Sequence, residues 1–144
     1  MAVAVAGTGK HRPLYLDTSA LVKLVIAERE SRALRIEVGD RQVMSSELAL
    51  TELPRAFRRA MATGRGSAMA HRLWRLLDEI DFIPLHRGQL LRAGSFEEPW
   101  LESLDAIHLA AALSNATTFE AFVTYDRNQA RAVKYAGLPL LQPA

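Results

Sequence analysis

Residues 14–24 read LYLDTSALVKL, and how that stretch divides decides the fold. LYL is an apolar run of strand length. From Thr18 onward, Leu21, Val22, Leu24, Val25 and Ile26 follow a Thr–Ser pair in a pattern that fits a capped helix. A strand therefore passes directly into a helix, with the carboxylate of Asp17 at the junction. An aspartate there accepts hydrogen bonds from free first-turn amides and contributes ~1 kcal/mol as an N-cap. The same position, at the carboxyl end of a strand, suits a ligand of a metal site completed from elsewhere in the chain. Taken alone, the cap is the better explanation.

The pattern of short strands and amphipathic helices continues outward from this junction. TSALVKLVIAERES (18–31) predicts the first helix, and ESRALRIEVGD (30–40) a second that ends at Gly39, where glycine suits a left-handed cap. QVMSS is a strand. ELALTELPRAFRRAMATG is mostly helical and stops at Gly64, and SAMAHRLWRLLDEI is a helix with Ala70, Leu73, Leu77 and Ile80 on one face. DFIPL is a third strand, RGQLLRAGSF and SLDAIHLAAALSNA hold helices, AFVTYD is a strand, DRNQARAVKYAG a helix, and LPLLQP an edge strand. Such alternation predicts a parallel sheet with helices on both faces. Pro54 interrupts its helix, where a proline costs about 3 kcal/mol in the interior. Either the helix restarts near Thr51 or it kinks.

With 144 residues, 49% of them hydrophobic and 24% charged, the chain has the length of one globular domain with a core. Residues 1–12 read as a flexible lead and 13–144 as the single domain. The apolar runs fall short of the ~20 residues a membrane-spanning helix needs. The lead carries its charge after its small residues, unlike a secretory signal, so a soluble cytoplasmic protein without membrane association is expected. Cysteine is absent, which excludes disulfides and thiolate metal sites. A metal would be held by oxygen or histidine ligands, which favours hard cations such as Mg2+ or Mn2+.

The net charge of +2 is small but unevenly spread. Residues 52–75 carry Arg55, Arg58, Arg59, Arg65, Arg72 and Arg75 against the single acid Glu52, while residues 97–105 carry Glu97, Glu98, Glu102 and Asp105 without a basic residue. These runs suit solvated helix faces or a polyanion-binding surface.

Asp126 closes a strand as Asp17 does, and it too is a natural cap. Glu52 and Asp105 sit instead among apolar neighbours, where a carboxylate is desolvated and needs compensation. A rim salt bridge to Arg55 or Arg59 is one source and a cation another. Four acids reaching one crevice from separate parts of a parallel-sheet domain would repel one another strongly in a low dielectric, and a divalent cation resolves that. Glu47 is read as a first-turn residue capped by Ser45 or Ser46. His108, in an alanine- and leucine-rich segment, is read as a packed or rim residue without a catalytic part. Trp74 is assigned to the core, and Trp100 is open to stacking on a base.

The ordered set YLDTSALVKL, SSELALTELPRA, SLDAIHLAAAL and VTYDRNQARAV closely resembles PIN-domain ribonucleases, in particular VapC-type toxins of toxin–antitoxin pairs. The match runs from about Leu14 to the C-terminus. The resemblance implies a three-layer α/β/α domain with a central parallel sheet of four to five strands. It also implies a Mg2+- or Mn2+-dependent endoribonuclease that leaves 5′-phosphate and 3′-hydroxyl ends. It assigns Asp17, Glu52, Asp105 and Asp126 to the metal site, with Ser19 and Thr124 as supporting hydroxyls. The partners it implies are an RNA substrate, an antitoxin that covers the site, and a second copy of the chain, alone or within a toxin–antitoxin hetero-oligomer. Arg55 and Arg59 are candidates for contact with RNA or a partner. A non-catalytic RNA- or protein-binding module on the same fold is the main rival. A haloacid-dehalogenase-like hydrolase would want an aspartate where Ser19 stands, and a receiver domain an acidic pair near the first strand.

Overall fold

The computed structural model describes residues 11–63 and 69–144. Most of the predicted lead, together with Gly64 and Arg65, lies outside them. The described residues form, in order, β1 (Leu14–Leu16), α1 (Thr18–Val25), α2 (Ser31–Val38), β2 (Val43–Ser46), α3 (Ala49–Ala62), α4 (Ala70–Glu79), β3 (Asp81–Ile83), α5 (Arg87–Gly94), α6 (Ser103–Leu113), β4 (Ala121–Val123), α7 (Arg127–Tyr135) and β5 (Leu140–Leu141). The strands make one sheet of order β3-β2-β1-β4-β5, and every pairing is parallel. The α/β architecture expected from the alternation is the one observed.

Strand alternation sorts the core into two layers. Leu14 and Leu16 of β1, with Ala121 and Val123 of β4, pack against Leu21, Val25, Leu34, Leu53, Phe57 and Leu73 from α1 to α4. Tyr15 and Phe122 face the other way, against Leu109, Ala112 and Val133 of α6 and α7. The Tyr15 ring lies 4.7 Å from that of Phe122 and 5.7 Å from that of Phe119. Such pairs contribute about 0.5–1.5 kcal/mol each beyond their buried area. The alanine run of α6 lets α5 approach closely, with Ala93 packed on Ala106 and Ala110.

Several boundaries differ from the sequence expectation. Helix α1 ends at Val25, because Ile26 is extended and the following turn is held from outside the helix. Lys23 reaches Glu28 at 2.6 Å and Glu30 at 2.9 Å, and the Ser31 hydroxyl accepts from the Glu28 amide and donates to the Ile26 carbonyl. Gly39 does cap α2 with φ 51°. Pro54 lies inside α3. The helix neither restarts at Thr51 nor breaks, and the amide that proline lacks is the one that would have met the Leu50 carbonyl. Glu47 is not a first-turn residue, because it lies in the turn that precedes α3. There the Ser46 hydroxyl accepts from the Leu48 amide, while Ser45 donates to the Leu16 carbonyl across the sheet. Trp74 is 60% exposed rather than buried, since it falls outside the stripe of Leu73, Leu76, Leu77 and Ile80 that α4 turns inward. Past β5, Gln142 Nε2 donates to the Thr124 carbonyl at 2.8 Å, and the Tyr125 hydroxyl donates to the Pro143 carbonyl at 2.7 Å.

Candidate active site

Parallel strands end together, and ligands in such sheets sit beyond those ends where the strand order reverses. Here the order reverses between β1, whose chain continues through α1 and α2 to β2 on one side, and β4 on the other. Asp17 follows β1 at this point, its amide continuing the ladder to the Val123 carbonyl at 3.3 Å.

The Asp17 side chain is 2% exposed. Its Oδ1 accepts from the Ser19 hydroxyl at 2.6 Å and from the Ala20 amide at 3.2 Å, so it does cap α1. Its Oδ2 accepts from the Thr124 hydroxyl at 2.5 Å. Both hydroxyls are themselves fixed, Ser19 by the Tyr125 amide at 2.9 Å and Thr124 by the Asp126 amide at 3.1 Å. Burial nevertheless outweighs these donors and the nearby His108, and holds the Asp17 carboxyl above the ordinary carboxylate range. One acceptor position on Oδ2 has no protein partner among the described residues.

Asp105 lies in the first turn of α6. It is pushed up to about 6, first by burial and then by the charges of Asp126 and Asp17. The three aspartates are thus electrostatic neighbours. Asp126 caps α7 by accepting from the Gln129 amide at 2.8 Å, and Gln129 Nε2 donates to the Asp105 carbonyl at 3.0 Å, which ties α7 to the start of α6.

Glu52 joins from α3 without an arginine. Its Oε1 accepts from the Thr18 hydroxyl at 2.7 Å and lies 2.7 Å from His108 Nε2. The alternative of a rim bridge from Arg55 or Arg59 does not form, for both arginines are exposed and Glu52 is held from the protein side. His108 is 1% exposed, with Nδ1 2.8 Å from the Tyr15 hydroxyl. Of the two expected placements, packed or at the rim, His108 takes the packed one, and it packs onto Glu52. Its spacing of three from Asp105 was the available signal. Thr18 was also missed, hidden by its role as the first residue of α1. Trp100 is half-buried and the Arg131 guanidinium lies 4.2 Å over its ring, occupying one of its two faces.

Among the described residues no three His, Asp or Glu side chains converge closely enough to enclose a metal ion. Mg2+ does not require such a cage, because it keeps waters and takes one or two carboxylates together with substrate phosphate oxygens. A buried carboxylate with an acceptor position to spare, beside a second one raised by like charges, fits that demand. Asp17 and Asp105 are the residues that would hold the cation.

The PIN domain family model matches residues 14–135. The chain belongs to the PIN domain family. Within it, the chain falls among the VapC proteins. It is 34% identical over 131 residues to Ribonuclease VapC47 of Mycobacterium tuberculosis, covering 90% of this chain and 96% of that one. It is 36% identical to Ribonuclease VapC46 of the same species, covering 91% and 98%. The PIN fold is matched by the crystal structure of M. tuberculosis VapC20, described as a sarcin–ricin loop cleaving toxin. The TM-score is 0.68 at 16% identity, over 90% of this chain and 99% of that one. VapBC2 from Rickettsia felis, bound to a DNA fragment from its promoter, matches with a TM-score of 0.67 at 12% identity, over 92% and 99%. Among the described residues no helix is long and apolar enough to cross a membrane.

Proposed function

We propose that this PIN domain, residues 13–144, is a Mg2+- or Mn2+-dependent endoribonuclease that acts in the cytoplasm as the growth-arresting toxin of a toxin–antitoxin pair. The observation that carries the reading is the buried Asp17 carboxylate, oriented by two fixed hydroxyls and a helix amide, beside an Asp105 raised by its acidic neighbours. When bound, a divalent cation supplies Lewis acidity toward a phosphate oxygen and lowers the pKa of a water.

The chain's own residues supply orientation. Ser19 and Thr124 keep Asp17 from rotating, and the amide end of α1 favours its ionised form. Glu52 presents Oε2, and Asp126 stands at the outer edge, where it caps α7 and adds negative charge beside Asp105. Arg55 and Arg59 follow Glu52 at i+3 and i+7, so all three share one stripe of α3 and a phosphate backbone could run from the arginines to the acids. Products with 5′-phosphate and 3′-hydroxyl ends follow from water attack with loss of the 3′ oxygen. An antitoxin covering the site and self-association into a dimer complete the proposal. The relatives' names, Ribonuclease VapC47 and VapC46, support it, and VapC20, which shares the fold, is described as a toxin.

The purified chain with Mn2+ should cleave structured RNA, and Asp17→Asn and Asp105→Asn should each abolish cleavage while remaining folded. Retained cleavage in both variants would place the chemistry elsewhere. A wild-type chain that binds RNA without cutting it would make this a non-catalytic module. For the toxin role, expression alone should arrest growth and co-expression of a neighbouring antitoxin gene should restore it.

A further inference from the structure

We propose that Tyr15 and His108 form a buried relay that positions Glu52, which makes His108 a positioning residue for the site although it touches no reacting group. The inference rests on the metal-dependent reading above. It starts from one asymmetry: both protein partners of the Glu52 carboxylate, the Thr18 hydroxyl and His108 Nε2, meet the same oxygen, Oε1, each at 2.7 Å. Oε2 has no hydrogen-bond partner among the described residues. Two donors on one oxygen fix the plane of the carboxylate and leave the other oxygen as its outward face.

The relay is anchored at its inner end. Tyr15 is 0% exposed in the second core layer, and its hydroxyl has His108 Nδ1 as its partner at 2.8 Å. The hydroxyl meets Nδ1 and the Glu52 oxygen meets Nε2, so both ring nitrogens are engaged and the imidazole is held at both ends. The ring is locked by packing as well, edge-on to Tyr15 with centroids 6.1 Å apart. The chain Tyr15 to His108 to Glu52 thus runs from the buried centre of the sheet to α3. It orients a carboxylate that would meet a cation held by Asp17 and Asp105 through one of the cation's waters, and losing such an outer-shell partner typically weakens metal affinity 10- to 100-fold.

The test is Mn2+ binding to the RNA-free protein by calorimetry or electron paramagnetic resonance, with thermal melts to confirm folding. His108→Ala should weaken Mn2+ binding about tenfold or more. His108→Gln, which keeps an N–H donor at similar reach, should recover most of it. In a Glu52→Gln background His108→Ala should add no further loss, because its effect passes through Glu52. Tyr15→Phe keeps the ring in the core and removes only the hydroxyl, so it should weaken binding several-fold even where His108→Ala fails to fold. Wild-type affinity in Tyr15→Phe and in a folded His108→Ala would overturn the proposal. Equal losses in the Ala and Gln variants, or an undiminished His108→Ala loss in the Glu52→Gln background, would reduce His108 to core packing and overturn it equally. A wild-type protein that binds no Mn2+ would instead overturn the metal-dependent reading, and the relay's role with it.

Discussion

Asp17→Asn separates two duties that one carboxylate holds. Asparagine caps a helix about as well as aspartate, and it removes a charge that burial disfavours. The metal-free variant should therefore melt at or above the wild-type temperature while RNA cleavage falls by at least about a hundredfold. A melt in EDTA and a cleavage assay in Mn2+ check the two halves. Asp105 offers a pH test. Its folded value of about 6 lies above the ordinary aspartate value of 3.8, so the folded protein binds the extra proton between those limits. In the metal-free protein its contribution to stability is fully favourable below about pH 4 and is lost as pH rises through 6. Urea melts in EDTA at pH 5 and 7.5 should show a larger loss of stability with pH in wild type than in Asp105→Asn. The four acids stood out in the sequence as candidates, because two close strands and two stand in apolar helical segments. The tie between His108 and Glu52 was not, since it depends on a tyrosine on β1 and a glutamate on α3 meeting a helix from the opposite layer.

Helix α3 carries the tension between stability and function at the scale of an element. Pro54 leaves the Leu50 carbonyl without its helical partner, and Pro54→Ala should raise stability by roughly 1–3 kcal/mol in urea denaturation. The same helix directs Arg55 and Arg59 outward along the stripe that begins at Glu52. Replacing either by alanine should weaken RNA binding across sequences and lower the salt dependence of log affinity by about 0.7 for a single-stranded substrate. Filter binding over a salt series measures this. Periodicity located this helix but not its start, which depends on Ser45 bonding across the sheet and Ser46 bonding the Leu48 amide. The early end of α1 has a similar cause, since Lys23 favours two glutamates beyond the helix over a further turn.

At the scale of the whole molecule, the sheet order is what brings distant parts of the chain to the carboxyl end of β1. The alternation of strands and helices predicts parallel strands, but no local pattern says that β4 rather than β3 lies beside β1. That choice brings Thr124 to Asp17 across 107 positions of sequence. The placement of Thr124 depends in turn on the end of the chain, where Gln142 grips its carbonyl and Pro143 receives the Tyr125 hydroxyl. These residues contribute little to the core, so exopeptidase trimming of 142–144 should barely move the melting temperature. It should nevertheless weaken Mn2+ affinity and slow cleavage several-fold, read by calorimetry and a timed RNA assay. A purification tag fused at this end would pull on the same strap, so an N-terminal tag is the safer choice for any measurement of activity.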